Sequence, residues 1–138
     1  MALERTLTII KPDAVAGGHI GEIIAALEQA GFRILAMKMV RLSRREAEGF
    51  YHVHKGKFFF DSLVNFMTEG PAVPIALERE DAIATLRKLM GDTNPEKAPV
   101  GSIRKRFGTS IERNAIHGSD APETAAFELG FFFATMEL

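Results

Sequence analysis

The sequence predicts a compact α/β or α+β sandwich, helices packed on one sheet, and three observations carry that prediction. Segments with strand periodicity and segments with helix periodicity alternate through most of the chain. Extra helical segments are inserted between the second and third strands, an order that favours helices layered on a sheet. The 138 residues are the length of an ordinary domain, and no repeat, low-complexity run or linker divides them, so 1–138 reads as one domain.

The first strand is Arg5-Thr6-Leu7-Thr8-Ile9-Ile10, which alternates polar and apolar residues and ends at Lys11-Pro12-Asp13, where proline denies the next ladder bond. Ile20, Ile23, Ile24 and Leu27 then keep helical spacing up to a stop at Gly31. Residues 32–42 are apolar at nearly every position, which predicts a second strand covered on both faces. Ser43 and Glu46 have the spacing of a capping box, and behind them Ala47, Phe50, Tyr51 and His54 share one helical face. Phe60, Leu63, Val64 and Met67 form the next helix, broken by Gly70-Pro71. Residues 73–77 read as a third strand, although Pro74 inside it is awkward because proline belongs at edges or bulges. A helix over 81–90 closes at Gly91, and a long loop with Pro95 and Pro99 runs to Gly101. Residues 114–117 suggest a short fourth strand, and Asp120-Ala121-Pro122-Glu123 opens a last helix with an acid cap and an early proline.

Composition excludes several classes of function. The net charge of −1 provides no bulk basic field for nucleic acid or an anionic membrane, so any anion site must be built locally. No apolar run approaches the ~20 residues of a membrane span. Glu4 and Arg5 arrive before any apolar signal core can form, which speaks against secretion. The absence of cysteine rules out disulfides, thiolate metal sites and a catalytic thiol, and fits the cytoplasm. No Gly-x4-Gly-Lys-Ser/Thr loop, Gly-x-Gly-x-x-Gly or His-Glu-x-x-His is present. His52 and His54, two apart in a predicted helix, do not share a face and do not make a metal pair.

The chemistry concentrates in Asn114-Ala115-Ile116-His117-Gly118-Ser119-Asp120. A neutral imidazole is a good nucleophile at physiological pH, and a phosphorylated histidine readily gives its phosphoryl group away. Such a histidine must be oriented. Ser119 and Glu128 are candidates for a hydrogen-bonded pair that holds one ring nitrogen and frees the other, and Gly118 would let a phosphate approach the backbone. A lone histidine at a strand end is usually only structural, so the weight falls on its companions. Lys11 at the end of the first strand, Arg87 before the Gly91 stop and Arg104 in Ile103-Arg104-Lys105-Arg106-Phe107 supply positive charge from three segments. Thr93 and Asn114 add short polar groups suited to phosphate and sugar hydroxyls. Helical spacing puts Phe60 in the core and leaves Phe59 outside it, where a phenyl face can stack on any nucleobase.

Together these residues closely resemble the nucleoside diphosphate kinases. The resemblance runs from Thr8-Ile9-Ile10-Lys11-Pro12-Asp13 through Tyr51, His54-Lys55-Gly56-Lys57, Met90-Gly91-Asp92-Thr93-Asn94-Pro95 and Ser102-Ile103-Arg104 to the histidine run and Phe131-Phe132-Phe133. It implies a ferredoxin-like βαββαβ fold with an antiparallel sheet and inserted helices. It also implies a two-step exchange in which a nucleoside triphosphate, typically ATP, phosphorylates His117 and a second nucleoside diphosphate takes the group. By position, Lys11, Tyr51, Arg87, Thr93, Arg104 and Asn114 would surround the phosphates and sugar. Phe59 would stack on the base with Leu63 and Ile111 nearby, and Glu128 and Ser119 would support His117. Magnesium (Mg2+) is expected on the nucleotide phosphates and not in a protein cage. The resemblance further implies a cytoplasmic homo-oligomer, tetramer or hexamer, that requires neither membrane nor nucleic acid.

Four residues depart from the family's usual pattern: His19, Phe58 in place of a common proline, Arg79 in place of a common glycine, and Val100 between Pro99 and Gly101. They are expected at surfaces and interfaces, away from the chemistry. A nucleic-acid module on the same type of sheet would need paired aromatics and a basic sheet face, where the first strand has Thr6, Thr8 and aliphatics. A catalytically dead relative would be expected to lack His117, Lys11 or Arg104, and all three are present.

Overall fold

A computed structural model of the chain describes residues 2–138. Strands β1 (Leu3–Ile10), β2 (Arg33–Met37), β3 (Val73–Glu80) and β4 (Ile116–Gly118) form one four-stranded sheet in the order β2-β3-β1-β4, with every pair antiparallel. This is the ferredoxin-like order. Helices α1 (Pro12–Ala16), α2 (Ile20–Gln29), α3 (Arg44–Phe50), α4 (Phe60–Met67), α5 (Ala82–Met90), α6 (Ile103–Phe107) and α7 (Pro122–Phe132) connect and cover it.

Strand β1 sits between β3 and β4, so both of its edges are paired. Leu7 and Ile9 point into a core with Phe50 of α3, Val64 and Met67 of α4, and Leu129 and Phe132 of α7. Ile10 points the other way, into a core with Ile23 and Leu27 of α2 and Leu86 and Met90 of α5. Helices therefore cover both faces of the sheet. Each fully buried Leu or Ile contributes about 1.5–3 kcal/mol, so the two cores make a rigid floor for what stands at the strand ends. Thr8 lies on the same face as Ile10, and its buried hydroxyl donates to the His117 carbonyl at 2.7 Å, tying β1 to β4.

Several elements differ from the sequence expectations, each for a local reason. The second strand, expected over 32–42 with both faces covered, is the five-residue edge strand β2, half-buried along Ile34–Ala36 with a register shift at that point. The face periodicity expected to continue from Ala47 to His54 stops early. Helix α3 ends at Phe50 and Tyr51 caps it, after which His52–His54 tighten into a 3-10 turn. Pro74 is tolerated inside β3 because its carbonyl takes Lys38 N (3.3 Å), so its backbone faces the β2 side at a point just past the end of β2. Strand β4 begins at Ile116 and not Asn114, because Ala115 is left-handed at φ 75° and cannot continue a ladder. Ala121, and not Asp120, is the N-cap of α7. Thr124 Oγ1 accepts from Ala121 N (3.0 Å) and donates to Asp120 Oδ1 (2.7 Å). Short helices α1 and α6 were not foreseen; α1 uses Pro12 at its first position, and Ser102 Oγ caps α6 at Lys105 N.

Candidate functional site

The ends of β1 and β4 lie side by side, and the register that pairs Ile9 with His117 brings Lys11 close to the histidine run. Lys11 N donates to the Ala115 carbonyl (2.9 Å), and Asp13 Oδ2 accepts from Ala115 N (3.0 Å). The left-handed Ala115 is thus clamped on both sides by the Lys11-Pro12-Asp13 turn. A strained residue beside a candidate nucleophile, held by the segment that delivers the lysine, fixes the two groups relative to each other.

Above this clamp opens a cavity of about 700 Å³. Lys11, Arg104, Arg87, Thr93, Asn114 and His117 line one part of it. Tyr51, Phe59, Leu63, Ile111 and Glu128 complete the set expected from sequence, contributed by the segments from α3 to α4, the loop before β4, and α7. Ser119 is the exception: it does not line the cavity but lies fully buried behind it.

The histidine is oriented from behind. His117 Nε2 lies 2.8 Å from Glu128 Oε1, and the same oxygen accepts from Ser119 Oγ at 2.7 Å. An ionised carboxylate can only accept, so Nε2 carries the hydrogen of the neutral ring and Nδ1 keeps the lone pair. Nδ1 has no hydrogen-bond partner among the described residues. Phe50 meets the imidazole edge-on at 5.6 Å and Tyr51 at 6.4 Å, fixing the ring plane. Gly118 lines the cavity and also serves packing, because a Cβ there would stand 2.6 Å from Met90 Sδ and 2.9 Å from Leu86 Cδ2. Only glycine lets α5 close on β4, and α5 carries Arg87.

Of the three cations, Lys11 and Arg104 are buried and held by hydrogen bonds, whereas Arg87 is exposed. Lys11 Nζ donates to Asn114 Oδ1 (2.9 Å) and the Glu112 carbonyl (3.1 Å), and is 6% exposed. Burial first, then the Arg104 charge, hold its ammonium down to about 8. Arg104 donates to the carbonyls of Gly91 (3.2 Å) and Ile116 (2.9 Å), and burial followed by Arg87 brings it down to about 10. Cations that depress one another in this way lower their mutual cost when an anion arrives. Lys105 and Arg106 remain exposed, as a solvated basic face should. Asn114 binds the carbonyls of Thr93 (3.0 Å) and Ile111 (2.8 Å) with its amide, so it joins the two loops of the cavity. Burial drives the Tyr51 hydroxyl upward, with Glu128 adding to it, so it stays a neutral donor.

The sequence reading missed Phe50, Val53, Glu112 and Asp120, which also line the cavity. From sequence Phe50 reads only as one of four residues on a helical face, and Asp120 as a helix cap; only the tertiary contact assigns them here. Asp120 is held below the usual carboxylate range first by the Thr124 hydrogen bond. His54, quoted only as part of a motif, lines the cavity, stacks on Tyr51 at 6.4 Å and is lowered by burial and by Lys57. Of the four departures expected away from the chemistry, Phe58 is not, since it lines the cavity wall while 99% exposed, and Val100 is exposed. His19 packs against Phe107 with ring centroids 4.4 Å apart and the planes tilted, and Arg79 lies over Phe32 at 5.5 Å.

The family model for nucleoside diphosphate kinases matches residues 4–138. The chain belongs to the nucleoside diphosphate kinase family. It is 58% identical to the nucleoside diphosphate kinase of Syntrophotalea carbinolica over 136 residues, covering 99% of each chain. It is 59% identical to that of Maricaulis maris over 138 residues, covering 100% of this chain and 99% of the relative. Among solved structures, the Aquifex aeolicus nucleoside diphosphate kinase superposes with a TM-score of 0.97 at 46% identity, covering 99% of each chain. The Halobacterium salinarum nucleoside diphosphate kinase, solved with CDP, gives 0.95 at 38% identity and covers 99% of this chain and 91% of that one. The chain is therefore an enzyme of the phosphotransferase class, a nucleotide-binding kinase.

Proposed function

We propose that this kinase moves the γ-phosphoryl group of a nucleoside triphosphate, typically ATP, to a nucleoside diphosphate through phosphorylated His117, and so supplies GTP, UTP and CTP. The observation that carries the reading is the Ser119–Glu128–His117 chain, which occupies Nε2 and leaves Nδ1 with its lone pair. Nδ1 attacks the γ-phosphorus in line, the bond to the β–γ bridging oxygen breaks, and the diphosphate leaves. A terminal oxygen of the second diphosphate then attacks the same phosphorus and the N–P bond breaks. Transfer of this kind needs positioning and fixed positive charge more than covalent assistance. Lys11, Arg87 and Arg104 supply the charge. Tyr51, Thr93 and Asn114 position the phosphates and sugar, and Phe59, Leu63 and Ile111 hold the base.

Magnesium enters in this scheme as part of the nucleotide substrate. Among the described residues no three His, Cys, Asp or Glu gather to hold a metal, and the cavity carboxylates Glu112, Asp120 and Glu128 are not clustered as a cage. That donor set suits an ion held chiefly by phosphate and water oxygens. We read residues 1–138 as one kinase domain working in the cytoplasm. No described helix is long and apolar enough to cross a membrane. The half-buried edge strand β2, with Met37 exposed, supports assembly into a tetramer or hexamer of identical chains. Initial rates at varied ATP and diphosphate test the two-step scheme. Parallel double-reciprocal lines are expected, and intersecting lines would mean direct transfer in a ternary complex.

A further inference from the structure

The base subsite proposed above offers ring faces and aliphatic carbons from Phe59, Leu63 and Ile111, which accept any base. One neighbour on the same wall is different. Glu112 follows Ile111, lines the cavity and is half-buried. Its Oε2 accepts from Ser62 Oγ at 2.8 Å, which ties the carboxylate of the loop before β4 to α4, one residue from Leu63. Its main chain is fixed as well, since the Glu112 carbonyl takes Lys11 Nζ at 3.1 Å. Oε1 has no hydrogen-bond partner among the described residues. A carboxylate anchored at one oxygen and open at the other is a preorganised acceptor at the edge of an otherwise indifferent pocket.

We propose that Glu112, held by Ser62, reads the Watson–Crick edge of guanine and gives the kinase a preference for guanine nucleotides. The inference rests on the base subsite assigned above. An ionised carboxylate only accepts hydrogen bonds. Guanine sets two donors side by side, N1–H and the N2 amino group. Adenine and cytosine each place a ring lone pair beside their single amino group, and uracil flanks its N3–H with two carbonyls. Each of those three directs at least one lone pair at the carboxylate. Glu112 is only half-buried, so a base that cannot use it leaves it to water. The result is a preference and not an exclusion.

The carboxylate also repels the phosphates of every nucleotide, so the informative quantity is the ratio between bases and not any single affinity. Dissociation constants for GDP, ADP, CDP, UDP and inosine diphosphate, measured on the whole protein, decide the matter. The parent is expected to favour GDP over ADP by about tenfold, with inosine diphosphate, which lacks the N2 amino group, in between. Glu112→Gln should bring the GDP-to-ADP ratio close to one, and Ser62→Ala should lower it part-way. The same ratio in parent and Glu112→Gln, within about twofold, overturns the proposal. That result leaves nucleotide exchange untouched, whereas a parent that bound or exchanged no nucleotide would instead remove the reading beneath it.

Discussion

The buried charge on Lys11 makes stability and activity respond to pH in opposite directions. Lysine in water titrates at 10.5, and in this site at about 8, a gap of 10.5 − 8 = 2.5 pH units. At ~1.36 kcal/mol per unit this is about 3 kcal/mol of penalty for holding the ammonium in the folded protein. Below pH 8 the folded and unfolded chains both carry the proton, and the penalty is borne in full. Between pH 8 and 10.5 the unfolded chain binds more protons than the folded one, so stability rises with pH across that window. From pH 7 to 10 the gain assigned to Lys11 is about 2.5 kcal/mol. Over the same window kcat/KM should fall, with a break near 8, because the neutral amine no longer meets the phosphate charge. The raised Tyr51 hydroxyl works against stability only above the ordinary tyrosine range, and Arg104, at about 10, adds its gain later. Urea unfolding and initial rates at half-unit pH steps, on the parent and Lys11→Met, separate these contributions. The variant should lack both the Lys11 stability gain and the break near pH 8. Parent kcat/KM that stays flat to pH 10, or a stability rise identical in both proteins, would refute the reasoning.

Three further outcomes follow from the geometry. Glu128→Gln keeps the shape but removes the charge that holds Nε2, so phosphorylation should slow by roughly 10²–10⁴-fold in single-turnover rates while diphosphate affinity stays nearly intact; lost binding with normal chemistry would make Glu128 structural. Phe59→Ala should weaken adenine, guanine, cytosine and uracil diphosphates together by about 1–3 kcal/mol, purines somewhat more, in equilibrium titrations; loss confined to one base would point to edge readout in place of stacking. Gly118→Ala drives a Cβ to 2.6 Å from Met90 Sδ, and chemical denaturation should show a loss of about 1–3 kcal/mol; an unchanged midpoint would show that α5 yields freely.

The fold was legible where one periodicity ruled a segment. α2, α4 and α5 followed from apolar spacing, and the Ser43–Glu46 capping box formed as its spacing required. It was less legible where tertiary position overrode local pattern. The apolar run after Phe32 suggested a buried strand, but sheet order put β2 at the edge, and nothing in a single sequence gives strand order. Pro74 looked like an obstacle until the end of β2 freed its nitrogen of a partner. The candidate site was largely legible because its residues sit in short motifs at element ends. What the motifs did not reveal was the support: the Asp13 clamp on left-handed Ala115, Phe50 against the imidazole, and the Ser62–Glu112 tie all join segments far apart in sequence.

The central claim is that phosphorus passes through His117, and the most direct measurement is covalent labelling. The parent, mixed with ATP labelled at the γ-phosphate and then freed of nucleotide, should retain label that survives alkali and is lost in acid. Adding any nucleoside diphosphate should discharge that label as the triphosphate. Folded His117→Ala should take up none and exchange none, because no cysteine is present to substitute. Acid-labile label on His117→Ala at the parent's level, or exchange by a parent that never becomes labelled, would contradict the account.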